Sequence, residues 1–231
     1  MPPAAPAASL VLCAALCIGG HVAAQVPPSA AEIAGYRGLH AAAQRGDVDA
    51  IAREAGRGAA LDARDPYGRT PLHVATYARQ RLAIRALAQA GASLDLLESD
   101  RYDAVTIASV ADDPQTLALL LSLGASAKQV TSRYDGTALI AAAHLGHDEV
   151  VRHLIGAGAP LDHVNNLHWT AVIEAIVLGD GGARHQRTLA ALIGAGANLQ
   201  LADRQGQSPI ALARARGHEA MTRQLLAAGA R

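Results

Sequence analysis

Histidine is the residue type in this sequence best placed to do chemistry, with ten in 231 residues. His144 and His147 lie three apart, and His185 falls in the matching turn of the next segment of the same pattern, so the three can cluster. Gathered imidazoles would ligate a metal or a haem iron. No H-E-x-x-H segment and no paired-cysteine motif accompanies them. Gly179-Asp180-Gly181-Gly182 follows a helical run without a nearby Lys-Ser or Lys-Thr, so it lacks the parts of a phosphate loop. Asp112-Asp113 precedes Pro114 and reads as a turn and helix start, where carboxylates are favourable. No nucleophile–base–acid constellation stands out. The sequence therefore predicts a non-enzymatic protein with no catalytic residues, no cofactor and no metal; a small-ligand, haem or metal-binding protein using the three histidines is the alternative.

Composition narrows the classes further. Lys+Arg and Asp+Glu number 20 each, so the formal net charge is zero, which argues against a nucleic-acid binder. Hydrophobic residues make up 51% while Phe is absent, so the apolar content is mostly Ala, Leu, Val and Ile. Such small aliphatic side chains suit thin, closely stacked helices better than one thick core.

Residues 1–24 differ from the rest. They carry no Asp, Glu, Lys or Arg, Leu10 to Ile18 is nearly all apolar, and Val22-Ala23-Ala24 offers a cleavage site before Gln25. This reads as a signal peptide, although its start has no basic side chain; the apolar run falls short of the ~20 residues of a membrane span. Periplasmic or secreted localisation follows. Both cysteines, Cys13 and Cys17, lie in this segment, so the mature chain would hold no thiol and no disulfide. Residues 25–36, with Pro27-Pro28, read as a linker and lead-in to an N-terminal cap.

From residue 37 to 231 the chain is periodic. Gly-Ala pairs begin at Gly58, Gly91, Gly124, Gly158, Gly196 and Gly229, separated by 33, 33, 34, 38 and 33 residues. Thr70, Asp103, Thr137, Thr170 and Ser208 run beside them, each with a side-chain oxygen able to cap a helix. Between cap and glycine fit two short helices; in the fourth repeat these are Ala138 to His144 and Asp148 to Ile155, with Gly158 ending the second in the left-handed conformation. The dozen residues before the next cap are turn-like and should project as a hairpin. Cap to glycine is 21 residues except after Thr170, where it is 26, and the extra five are assigned to a loop around Leu178 to Arg187.

Gly68-Arg69-Thr70-Pro71-Leu72-His73-Val74-Ala75 resembles the ankyrin signature G-x-T-P-L-H-x-A. Asp135-Gly136-Thr137-Ala138-Leu139 and Gly206-Gln207-Ser208-Pro209-Ile210 carry parts of it, the first repeat keeps Leu39-His40-Ala41-Ala42 without a cap, and Tyr102-Asp103-Ala104-Val105-Thr106 departs most. The resemblance implies an all-α ankyrin-repeat solenoid of about six helix-turn-helix repeats with projecting β-hairpin loops, at about 37–64, 65–97, 98–130, 131–164, 165–201 and 202–231. It implies that His40 and His73 bond to neighbouring hairpin backbone and that His147 and His218 serve in inter-helix turns. It also implies a protein partner; with the signal peptide, this points to a monomeric scaffold of the bacterial cell envelope, which the resemblance to exported ankyrin proteins would make an accessory in stress protection, a secreted host-interacting effector being a further alternative.

Aromatic residues mark the expected contact surface. Tyr67, Tyr102, Tyr134 and Trp169 all fall in the hairpins, interleaved with Arg101, Arg133, Asn165, Asn166 and His168, and should form a row along one edge. Tyr, Trp and Arg are the types most enriched at binding hot spots. Asp180, Arg184 and His185 supply the polar content of the enlarged turn. Glu174 occupies the slot filled by Val74 and Ala141 in other repeats, which faces the concave surface and would present a carboxylate there.

Overall fold

The computed structural model describes residues 25–231; the signal-peptide reading of residues 1–24 lies outside them. After α1 (Ala30–Gly35) come six helix pairs. These are α2 (Gly38–Arg45) with α3 (Val48–Gly56), α4 (Pro71–Tyr77) with α5 (Arg81–Ala90), and α6 (Ala104–Val110) with α7 (Pro114–Ser122). They continue as α8 (Ala138–Leu145) with α9 (Asp148–Gly156), α10 (Ala171–Val177) with α11 (Ala183–Gly194), and α12 (Pro209–Ala215) with α13 (Glu219–Ala227). The first helices pack side by side in one layer and the second helices in another, each pair touching its neighbours along the stack. A single short pair buries little by itself, so stability comes from stacking neighbours.

The first helices of the inner repeats are sandwiched on almost every side. All seven residues of α10 are buried, as are six of seven in α4. Alanines there let adjacent helices approach closely, which explains how a chain without Phe fills its core. The second helices bury one stripe, including Ile51, Ile84, Leu87, Leu117, Leu120, Leu154, Leu189, Leu192 and Leu225. Each such side chain contributes about 2 kcal/mol relative to exposure.

Helix ends follow the sequence markers closely. Gly58, Gly91, Gly124, Gly158, Gly196 and Gly229 all have φ between 77° and 100°, the region open to glycine. Thr70, Asp103, Thr137 and Thr170 each accept the backbone N–H three residues on. Ser208 sits at the same position without a side-chain cap bond, which corrects the fifth expected cap.

The projecting hairpins are turns and not strands; among the described residues the one bridge pairs Thr131 with Gly136. Each turn instead folds around an oxygen-bearing side chain five residues before the cap. Asp65 Oδ1 accepts the N–H groups of Tyr67 and Arg69 at 2.8 and 2.9 Å, and Glu98 accepts those of Asp100 and Tyr102, both at 3.0 Å. Asn165 Oδ1 accepts from Leu167 and Trp169, and Asp203 Oδ1 from Gln205 and Gln207. Ser132 accepts from Tyr134 in the fourth repeat, where the turn is one residue longer and closes from Thr131 to Gly136.

The lead-in is more ordered than a linker. Ser29 and Glu32 form a reciprocal capping box on α1. Glu32 pairs with the guanidinium of Arg69, which is 2% exposed and also bonds Asp65 at 2.9 Å; Asp65 in turn accepts the Tyr36 hydroxyl at 2.9 Å. A buried arginine is tolerable only with its charge matched, and here two carboxylates from different elements match it.

Candidate functional site

Successive turns lie in a row because their backbones are bonded to one another. The Ser99 N–H donates to the Tyr67 carbonyl at 3.0 Å, Ser132 to Arg101 at 2.9 Å and Asn166 to Tyr134 at 2.9 Å. Tyr67 is 52% exposed, with the Arg69 guanidinium 4.5 Å from its ring centroid. Tyr102, Tyr134 and Trp169 are half-buried, and Trp169 packs against the hydrophobic core. The aromatic row is therefore continuous in backbone terms and graded in exposure.

The arginines in the row are exposed and cross-paired. Arg101 bonds Asp135 at 2.8 Å and Arg133 lies 3.7 Å from Asp100, so the third and fourth turns exchange ion pairs in both directions. Exposed pairs of this kind contribute about 0–1 kcal/mol each and can be exchanged for a partner at little loss. Arg101 and His168 hold φ of 66° and 64° where the second and last repeats have Gly68 and Gly206. A side chain in that conformation costs about 1 kcal/mol, and Asp135 holds the same slot in the fourth repeat at φ 51°. Asn166 is exposed, its Nδ2 donating to the Arg133 carbonyl, and His168 stands beside Arg204.

Three residues assigned to the contact surface are instead buried. Asn165 is the acceptor that shapes its turn, and its Nδ2 donates to Glu174 Oε1 at 2.9 Å. Glu174 is 4% exposed on α10, and its Oε2 has no hydrogen-bond partner; His144 Nδ1 stands 3.5 Å away, within ion-pair distance when protonated. His185 is buried on α11, with Nδ1 2.7 Å from Asp180 and Nε2 2.9 Å from the His144 carbonyl.

The three-histidine cluster does not form. His185 reaches the backbone of His144 and not its ring, and His147 Nδ1 bonds the Ser109 carbonyl at 2.9 Å. Among the described residues no three His, Cys, Asp or Glu side chains converge as metal ligands. His40 and His73 bond the next turn's backbone as the resemblance implied, at the Arg69 carbonyl and at the Leu96 and Tyr102 carbonyls.

The enlarged turn is shorter than expected, because α11 begins at Ala183 and absorbs part of the extra length as helix. Asp180 is exposed, and its carboxyl is held below the usual range by the Gly182 N–H and by His185. Arg184 bonds Asp112 at 2.7 Å and approaches Asp148, which Arg152 and Arg187 also contact. Hydrogen bonds from Arg187 lead the effects that pull the Asp148 carboxyl down to about 2. Arg184 and His185 thus brace the fifth repeat against the third and fourth, with Asp180 holding the His185 ring.

On the inner side, Tyr102, Tyr134, Val110, Ile140, His144 and Glu174 line a cavity of about 140 Å³. Gln25 closes part of it, with a buried Nε2 that has no partner. Glu174 and both tyrosines, far apart in sequence, share this one cavity.

Family models for ankyrin repeats match residues 67–99 and, as three copies, residues 105–198. The chain is 33% identical over 190 residues to the ankyrin repeat protein YahD of Escherichia coli (strain K12), covering 82% of this chain and 94% of YahD. The chain belongs to the ankyrin repeat family. An ankyrin repeat domain from Acinetobacter baumannii is similar in structure at TM-score 0.79 and 42% identity, covering 84% of this chain and 98% of that one. The ankyrin repeat protein EF0377 follows at TM-score 0.76 and 28% identity, covering 83% and 98%. Ankyrin repeats bind protein partners, which makes this array a protein–protein interaction scaffold. Among the described residues no helix is long and apolar enough to cross a membrane.

Proposed function

We propose that this ankyrin array is a non-catalytic, monomeric scaffold of the bacterial cell envelope that holds a partner protein along its turn row and inner face. The observation that carries the reading is the row itself: Tyr67, Tyr102, Tyr134 and Trp169 stand on backbone-linked turns, interleaved with the exposed Arg101, Arg133 and His168. A pre-ordered edge of aromatics and exchangeable ion pairs loses little conformational entropy on binding. Export rests on the character of residues 1–24, and the accessory role in stress protection rests on the family resemblance alone. The zero formal charge supports a protein partner over a nucleic acid.

Replacing Tyr102, Tyr134 and Trp169 together with alanine is expected to reduce recovery of the co-purifying partner from its own cell at least tenfold, a change of about 1.4 kcal/mol or more. Far-ultraviolet circular dichroism should report unchanged helicity. Undiminished recovery by the folded triple variant would remove the row from the binding surface.

A further inference from the structure

We propose that the inner-face cavity takes a basic side chain, arginine or lysine, from an extended segment of the partner protein, with Glu174 as its counter-charge. This deepens the scaffold reading and rests on it. The cavity of about 140 Å³ is walled by Tyr102, Tyr134, Ile140 and Val110. The space is large enough for one long side chain in place of ordered water.

The carboxylate is already built for the task. Asn165 fixes Glu174 through Oε1 at 2.9 Å, and Asn165 is itself held by two turn N–H groups, so the side chain cannot swing away. Oε2 is left buried and without a hydrogen-bond partner, the His144 imidazole being 3.5 Å away, in a slot where Val74 serves in the second repeat. An unsatisfied buried carboxylate oxygen is costly, and a charged donor from outside removes that cost. Tyrosine faces attract the same cations through the ring quadrupole. The Nε2 of Gln25, the other unpartnered polar atom lining the cavity, is a donor and suits a backbone carbonyl of the segment that delivers the side chain. One basic residue in an extended peptide thus supplies the donor and the acceptor that the cavity lacks.

The test uses protein expressed from its full sequence and an acetylated, amidated glycine pentapeptide with arginine at its centre, alongside lysine, glutamine and glutamate counterparts. Backbone amide shifts followed by nuclear magnetic resonance should move saturably at Ile140, Ala141 and Glu174 with a basic peptide. The neutral and acidic peptides should leave them in place. Glu174→Gln, which keeps an oxygen for Asn165, should weaken binding at least tenfold. Ala141→Trp fills the cavity while leaving the Asn165–Glu174 bond intact, and should abolish binding; it decides the matter should Glu174→Gln fail to fold. Equal shifts from the glutamine peptide, wild-type affinity in the variants, or no saturable shift from either basic peptide would overturn the assignment. Loss of partner recovery in the aromatic triple variant alongside a silent peptide series would leave the scaffold standing and the cation pocket refuted.

Discussion

Gly179→Ala is expected to destabilise the protein by about 3 kcal/mol, on the scale of severe overpacking. A Cβ at this buried position would stand 2.1 Å from the Ala175 carbonyl oxygen and 2.6 Å from the His185 ring. The carbonyl belongs to the last turns of α10 and cannot shift without disturbing a helix buried on every side. The ring is pinned between Asp180 and the His144 backbone, so it cannot yield either. Gly156→Ala is the contrast: it sits at the end of α9 with nothing within 4 Å, so alanine should be neutral or raise stability by about 0.5 kcal/mol. Urea midpoints of the two variants measure both effects. A wild-type midpoint for Gly179→Ala would mean that the enlarged turn is a tolerated surface loop; the expected loss means that it is built to lock α11 onto α8.

Acid should weaken the fold through His73 as pH falls below about 6.5. Thr70 donates its N–H to His73 Nδ1 at 3.0 Å, while Nε2–H faces the Leu96 and Tyr102 carbonyls at 3.0 and 3.2 Å. Burial opposes a charge there, and a proton on Nδ1 would also confront the Thr70 donor. The side chain is pushed down to about 4, against about 6.5 in an unfolded chain. Its contribution is fully present above pH 6.5 and is lost as pH falls toward 4, because only the unfolded state takes up the proton in that window. The loss amounts to about 3 kcal/mol at pH 4 relative to pH 7. Glu98 and Asp103, raised by burial, oppose this trend when they protonate in the native state. A pairwise comparison isolates His73: the stability difference between wild type and His73→Gln should shrink by that amount from pH 7 to pH 4. A difference that stays constant with pH would refute the assignment.

Local features were legible where one residue type does one job at a fixed offset. The Gly-Ala pairs placed the ends of the second helices because only the glycine takes positive φ without cost, and Thr or Asp before the first helices gave their starts. The acceptors that fold the turns escaped notice because Asp65, Glu98, Ser132, Asn165 and Asp203 share an oxygen and not a residue type. Their constant offset of five before the cap was the available signal. Asn165 consequently looked like a surface contact when it is a turn support. The pairing of His185 with Asp180 and the His144 carbonyl needed the register of α11 against α8, which the five-residue excess concealed. The inner cavity was out of reach for the same reason, since its walls come from three repeats and its carboxylate is defined by a missing partner.

The central claim, that partner proteins dock on the turn row and inner face, is tested most directly by site-specific photo-crosslinking in the protein's own cell. A benzophenone side chain at position 67 replaces the exposed Tyr67, and a second protein carries it at Leu82, which is 71% exposed on α5 in the other helix layer. The account predicts a discrete higher-mass adduct from position 67 and none from position 82. An adduct from position 82 with none from position 67 would contradict it.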